Sequence, residues 1–326
     1  MKTVQHFVSN GAGWLLSLWQ TWDPAKLVPG RRPVVIVPGY GMNSFIFSYH
    51  PHGLSLEGYL ADAGFEVWRA DFRTQGQAVR QGGSDNFGME ELALVDLKVT
   101  IDAILDRTRT GAERVDVIGA SLGGTLMFIH ATLLPDHRLG VLVAMGSPVR
   151  WVEVHPALRA LFVSPMLIGL LPFKGTRKLA EVALPFAAKH VPWLLSIYVN
   201  PEASDLSAAR DLVKTVEDPN RSINREIARW IRQKDLVIRG TNVSERLPAL
   251  RLPLLCVVAV NDGIVPRKTA EFPYLQAGSA SRRVVYVGDD ALSMAHADLF
   301  VSNVAHERVF RPISEWLAGQ YPGMPH

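Results

Sequence analysis

The chain has 326 residues, 48% of them hydrophobic, enough to bury a large core and too many for a disordered polypeptide. Its 34 Lys and Arg against 31 Asp and Glu leave a net charge of +3, and the basic residues are scattered, so a nucleic-acid-binding surface is not expected. Cys256, the one cysteine, sits in the apolar run LPLLCVVAV, which excludes an internal disulfide, predicts an inert buried thiol and suits a cytoplasmic setting.

The first stretch, MKTVQHFVSNGAGWLLSLWQTW, carries one lysine and is interrupted by Gln5, His6, Ser9 and Asn10, so it is not read as a cleaved signal peptide. Trp14, Trp19 and Trp22 with Leu15, Leu16 and Leu18 predict a helical segment within residues 1–30. That helix is expected to pack on the body of the protein, the alternative being peripheral contact with a membrane surface. No stretch reaches the roughly 20 apolar residues needed to span a bilayer.

From residue 31 the pattern changes. Val34–Val37 reads as a buried strand running into Pro38-Gly39-Tyr40-Gly41, where the glycines let the backbone around Tyr40 approach a ligand closely. Leu54–Ala63 reads as a helix and Phe65–Ala70 as the next strand, with Asp71 anchoring the loop after it. Met89–Thr110 places Leu94, Leu97, Ile101, Ile104 and Leu105 on one helical face, with Glu90 and Glu91 at its start and Arg107 and Arg109 at its end, as the helix dipole favours.

Val115–Ile118 then predicts a short strand that ends in Gly119-Ala120-Ser121-Leu122-Gly123-Gly124, followed at once by a helix over about Leu122–Leu134. A serine on a sharp strand-to-helix turn is held in strained backbone geometry that needs glycine at Gly119 and Gly123, and it points the first amides of the helix at a reacting carbon. Ser121 is therefore the candidate nucleophile. Val141–Ala144 supplies a further strand. Residues 148–250 show no clear buried strand and read as a helical cap placed over the carboxyl ends of the strands, where ligands bind in open α/β folds. Its apolar runs predict core for the cap and, at Leu161, Phe162, Met166 and Leu170 among others, walls for an acyl group; Met42 is added from the earlier loop.

The alternation resumes with the strand Leu254–Val260, which ends in Asn261-Asp262-Gly263, a helix near Arg267–Gln276, a strand Arg283–Val287, the loop GDDALSMAHADLF with His296, and a closing helix over Ala305–Leu317. A serine hydroxyl needs a base to take its proton, and that base needs a carboxylate to fix its tautomer. Asp262 and His296, at the ends of successive strands, satisfy both needs in the chain order serine, acid, histidine. Asp289 and Asp290 compete for the acid's place, but their position in the loop gives them no strand end to fix their direction. His50 and His52 resemble a metal pair without a third ligand, and no metal site is expected.

The segments VVIVPGYGMNSF, DFRTQG, GASLGG, VNDGIVP and AHADLF, in this order, resemble the α/β-hydrolase superfamily, and within it the lipase and polyhydroxyalkanoate synthase or depolymerase branch. The resemblance implies an α/β-hydrolase fold: a mostly parallel, doubly wound sheet formed by residues 31–147 and 251–326, with the cap inserted after Val141–Ala144. It also implies an oxyanion hole built from the backbone amides of Tyr40 and Leu122, although Pro38 stands where many members have histidine. The expected activity is hydrolysis of a small-molecule or lipid ester with an apolar acyl group, with no cofactor. Acyl transfer on the same three residues, and a silent lipid-binding protein, are the alternatives. The oligomeric state is left open.

Overall fold

The computed structural model describes residues 1–162 and 175–323. Strands β1 (Lys2–Ser9), β2 (Trp14–Trp22), β3 (Val34–Val37), β4 (Val67–Asp71), β5 (Val79–Arg80), β6 (Val115–Ala120) and β7 (Leu139–Met145) come first in the chain. A short separate hairpin follows, β8 (Val237–Ile238) with β9 (Thr241–Asn242), and then β10 (Leu254–Ala259) and β11 (Arg282–Val287). The nine-stranded sheet runs β1-β2-β4-β3-β6-β7-β10-β11, with β5 beside β2. From β4 to β11 every pairing is parallel, and β1, β2 and β5 extend one edge antiparallel. β3, β6, β7 and β10 are buried along their whole length, as strands covered on both faces must be.

The covering helices fall on two sides. Leu97–Arg107 and Leu122–Leu133 bring Leu97, Ile101, Ile104, Leu126 and Phe128 against Val35, Val37 and Val117 on one face. Leu56–Asp62 and Arg311–Ala318 bring Leu56, Leu60, Ile313 and Leu317 against Val34, Ile36 and Ile118 on the other. β3 and β6 are neighbours whose following helices lie on opposite faces, so a crevice opens between their carboxyl ends.

The N-terminal segment is not a helix. Residues 2–22 form an antiparallel hairpin in which Lys2 pairs with Trp22 and Ser9 with Leu15. The turn uses Gly11 and Gly13 at φ 70° and 80°. Trp14, Leu16 and Leu18 join the core under one face of the sheet, while Ser17 and Thr21 face the other side, bonded to Gln5, and to Thr3 and Glu57. Because β2 lies between two strands and is covered on both sides, its apolar residues are not confined to alternate positions, and the period of two is blurred enough to be taken for a helix. Trp and Thr, which favour strands, and the Gly-Ala-Gly turn were the signals that pointed the other way. Trp14 and Trp22 are buried and Trp19 is half-buried.

Between β7 and β10 the described residues form helices Pro156–Leu161, Thr176–His190 and Arg221–Gln233 with shorter turns, and the β8–β9 hairpin, whose two-residue strands are too short to show a period. Arg221–Gln233 is capped by Asn220, which accepts from the amides of Ser222 and Ile223, and buries Ile223, Ile227, Trp230 and Ile231 on one face. Among the described residues no helix is long and apolar enough to cross a membrane.

Candidate active site

Ser121 follows β6 at φ 52° and ψ −120°, a conformation that a residue with a side chain holds only when its surroundings fix it. Its amide donates to Met145 O at the end of β7, 2.8 Å away. The two glycines are needed because backbone crowds them. A Cβ at Gly119 would lie 2.3 Å from Gly124 Cα, and one at Gly123 would lie 2.2 Å from the carbonyl oxygen of Val37 on β3. The constraint thus comes from the following helix and the neighbouring strand rather than from side chains on either side of the serine.

Asp262 and His296 meet. His296 Nδ1 lies 2.6 Å from Asp262 Oδ2, both residues nearly buried. The other carboxylate oxygen, Asp262 Oδ1, accepts from the amides of Ile264 and Val265, each at 2.8 Å, so the acid is aimed by its own loop. Ser121 comes to this pair through the end of β7: the residue after Met145 is Gly146, where a Cβ would lie 3.1 Å from His296 Cε1 and 3.3 Å from Asp262 Oδ2. Among the described residues no hydrogen bond joins Ser121 Oγ to His296. Asp289 is used elsewhere, in a bond to Arg308 and an Asx turn with Ala291 and Leu292. His50 bonds the Ser302 carbonyl and His52 bonds Asp205, and no metal-ligating cluster occurs among the described residues.

The loop after β3 brings Tyr40 to the cavity that Ser121 and Leu122 also line. Gly39 makes the approach possible, since a Cβ there would be 3.0 Å from Ser121 Cβ. Leu122 opens its helix, where the first amides have no intrahelical partner. The loop is clamped to the cap. Asn43 N donates to Thr215 O and Glu217 N to Gly41 O, both at 2.9 Å. The Glu217 carboxylate accepts from Asn43 Nδ2 (2.6 Å) and Gly76 N (3.0 Å), and Gln75 Nε2 donates to Met42 O at 3.1 Å. Burial pushes the Glu217 carboxyl above its usual range, which these hydrogen bonds oppose. Asp71 anchors the same region by accepting from Ser44 N at 2.8 Å. The Tyr40 hydroxyl donates to buried Asn224 Oδ1, and burial raises its phenol, keeping it protonated.

Of the predicted pocket residues, Phe162 lines the cavity at Ser121 together with Trp151, Leu158, Ile227 and Trp230. Met42 is not part of that lining and instead lines a separate cavity that shares Tyr40. Met166 and Leu170 fall outside the described residues. Residue-by-residue reading missed Asp298. It is fully buried two positions after His296 and accepts from Ala295 N (2.7 Å), Asn200 N (3.0 Å) and Ser204 Oγ (2.6 Å), tying the histidine loop to the cap. An acid at the start of the short helix Asp298–Val301 was the available signal.

A thermophilic esterase from Thermogutta terrifontis superposes with a TM-score of 0.63 at 17% identity, covering 98% of this chain and 99% of that one, so the fold is that of the α/β-hydrolases. The profile of the serine aminopeptidase S33 family, Hydrolase_4, matches residues 29–289, and the chain belongs to this family. Lipase member N of Mus musculus is 31% identical over 159 residues, 45% of this chain and 39% of that protein. Lysosomal acid lipase/cholesteryl ester hydrolase of Homo sapiens is 35% identical over 154 residues, 44% and 36%. The chain thus spans about two fifths of the length of these curated relatives.

Proposed function

We propose that the protein is a serine hydrolase that cleaves carboxylic esters with an apolar acyl group. The observation that carries this reading is the cavity opening on Ser121, about 160 Å³, whose described lining beyond the serine itself is apolar or aromatic. Its volume is close to that of the ~150 Å³ apolar cavity known to hold benzene, so an aromatic ring or a short aliphatic chain fits it. An aminopeptidase, the activity in the family's description, has to hold an α-ammonium beside the scissile carbonyl. None of the described residues lining this cavity is acidic, and a buried unpaired cation would be costly there.

In the proposed mechanism Ser121 Oγ attacks the ester carbonyl carbon while its proton passes to His296 Nε2. Asp262 holds His296 with Nδ1 protonated and stabilises the imidazolium. The backbone amides of Tyr40 and Leu122 stabilise the oxyanion. When the tetrahedral intermediate collapses, the carbon–oxygen bond to the alcohol breaks and the imidazolium returns the proton to the departing oxygen. Water, deprotonated by the same imidazole, then attacks the acyl-enzyme, and as the bond to Ser121 Oγ breaks the imidazolium returns the proton to that oxygen and the acid is freed. Acyl transfer would need another acceptor at this last step, and the lipase and esterase names among the relatives favour water. Ser121→Ala is expected to lower turnover of nitrophenyl acyl esters by at least about 10³-fold with the fold intact. Wild-type turnover in that variant would refute the assignment.

A further inference from the structure

Beside the Ser121 cavity, Tyr40 lines two others; the smaller, about 40 Å³, runs along Gly39 and Leu122 to the charged Arg73, Glu217 and Asp218. The larger, a second cavity of about 90 Å³, lies beyond Tyr40 between its loop, the histidine loop and the cap, and is lined by Met42, Leu184, Tyr198, Leu212 and Val301 among others. Its polar members, besides the two tyrosines, are the Thr215 side chain and backbone; among the described residues lining it none is charged. Tyr198 stands against His296, ring centroids 6.1 Å apart, and Ala297, the residue after the histidine, forms part of the wall. The divider is held: Tyr40 is pinned at its hydroxyl by Asn224 and at its ring by Phe162, centroids 6.3 Å apart.

We propose that this second cavity receives the departing alcohol, and that the alcohol is apolar. The inference rests on the ester-hydrolase reading above. The acyl group is the part that becomes bonded to Ser121, and of the three cavities at Tyr40 only the first is lined by Ser121. The alcohol oxygen must take its proton from His296, so the alcohol departs on the side walled by Tyr198 and Ala297. A leaving group bearing phosphates, such as a nucleotide-linked thiol, would place its charges against Leu, Met and Val side chains with no cation to meet them, which burial makes costly. An aliphatic or aromatic alcohol of a few carbons meets a matching surface, and one methylene in such a pocket changes kcat/KM by roughly ten-fold or more. The protein therefore selects esters that are apolar on both sides of the bond, with Tyr40 dividing one selection from the other.

Two substitutions of opposite size test this on the full chain. Leu212→Trp fills the second cavity and Leu212→Ala enlarges it, and kcat/KM is measured on two series: one acyl group with methyl to hexyl alcohols, and one alcohol with acyl groups of increasing length. The proposal expects the hexyl-to-methyl ratio to fall about ten-fold in Leu212→Trp and to rise in Leu212→Ala, with the acyl-length ratios unchanged. Opposite shifts in the two variants do not arise from damaged folding. Alcohol ratios within two-fold of wild type in both variants, or a change in acyl preference in their place, would overturn it. Absence of ester turnover by the wild-type protein would instead remove the ester reading on which the assignment rests, and with it the assignment.

Discussion

Ser121 and Asp298 show how differently two residues of one site announce themselves. Ser121 could be read from its immediate neighbours, because the strand before it and the glycines around it impose the turn locally. Asp262 and His296 could be placed because each follows a strand, and their mutual bond across 34 positions of sequence is what parallel strand ends bring about. Asp298, Glu217 and Asn224 could not, since each acts on partners about 90 to 180 residues distant that only the folded chain brings near. Asp298 also carries a pH dependence. Burial raises its carboxyl to about 6 despite the hydrogen bonds from Ser204, Ala295 and Asn200, and the charge of Asp262 pushes the same way. A folded-state value above the unfolded one means that the native state binds the proton more tightly. The stability this contributes is fully present below about pH 4 and is lost as pH rises through about 6. Denaturant titrations between pH 4 and 7 are expected to show a fall on the order of 2 kcal/mol that is missing in Asp298→Asn, whatever that variant's absolute stability. An unchanged slope in the variant would contradict the role given to this carboxyl.

Among the elements, the loop Gly39–Asn43 is where the cap and the sheet meet. The departure at Pro38 left its pose undetermined by sequence; the pose follows from its bonds to Thr215, Glu217 and Gln75. If the Tyr40 amide holds the oxyanion, the Glu217 carboxylate acts on the reaction at one remove, through Asn43 and Gly76. Glu217→Ala is expected to lower kcat by about ten-fold with KM changed less than two-fold, since a misplaced oxyanion donor weakens the transition state more than substrate binding. Glu217→Gln, which keeps one acceptor, should recover part of the loss. Equal effects of both variants on KM alone would show that the clamp serves substrate binding. The hairpin β1–β2 teaches the converse: a strong apolar run was misread because burial on both sides blurs the alternation that separates strand from helix.

Across the whole molecule, the order of strands and helices in residues 31–147 and 251–326 was legible because the central strands β3, β7 and β10 are apolar runs without a charge and the covering helices present apolar residues to the sheet. Cap segments were legible as helical in type, but not which of their residues face the serine: Met42 and Phe162, proposed for one pocket, stand on different sides of Tyr40. The arrangement brings the ends of β3, β6, β7 and β10 and the loop after β11 to one crevice, and the account depends on chemistry beginning there at one atom. The direct measurement is the mass of the protein after brief reaction with an acyl nitrophenyl ester at low pH or with a fluorophosphonate, followed by peptide mapping. One adduct per chain, on the peptide containing Ser121 and absent in Ser121→Ala, is the predicted result; an adduct on another residue, or one that persists in the variant, would contradict it.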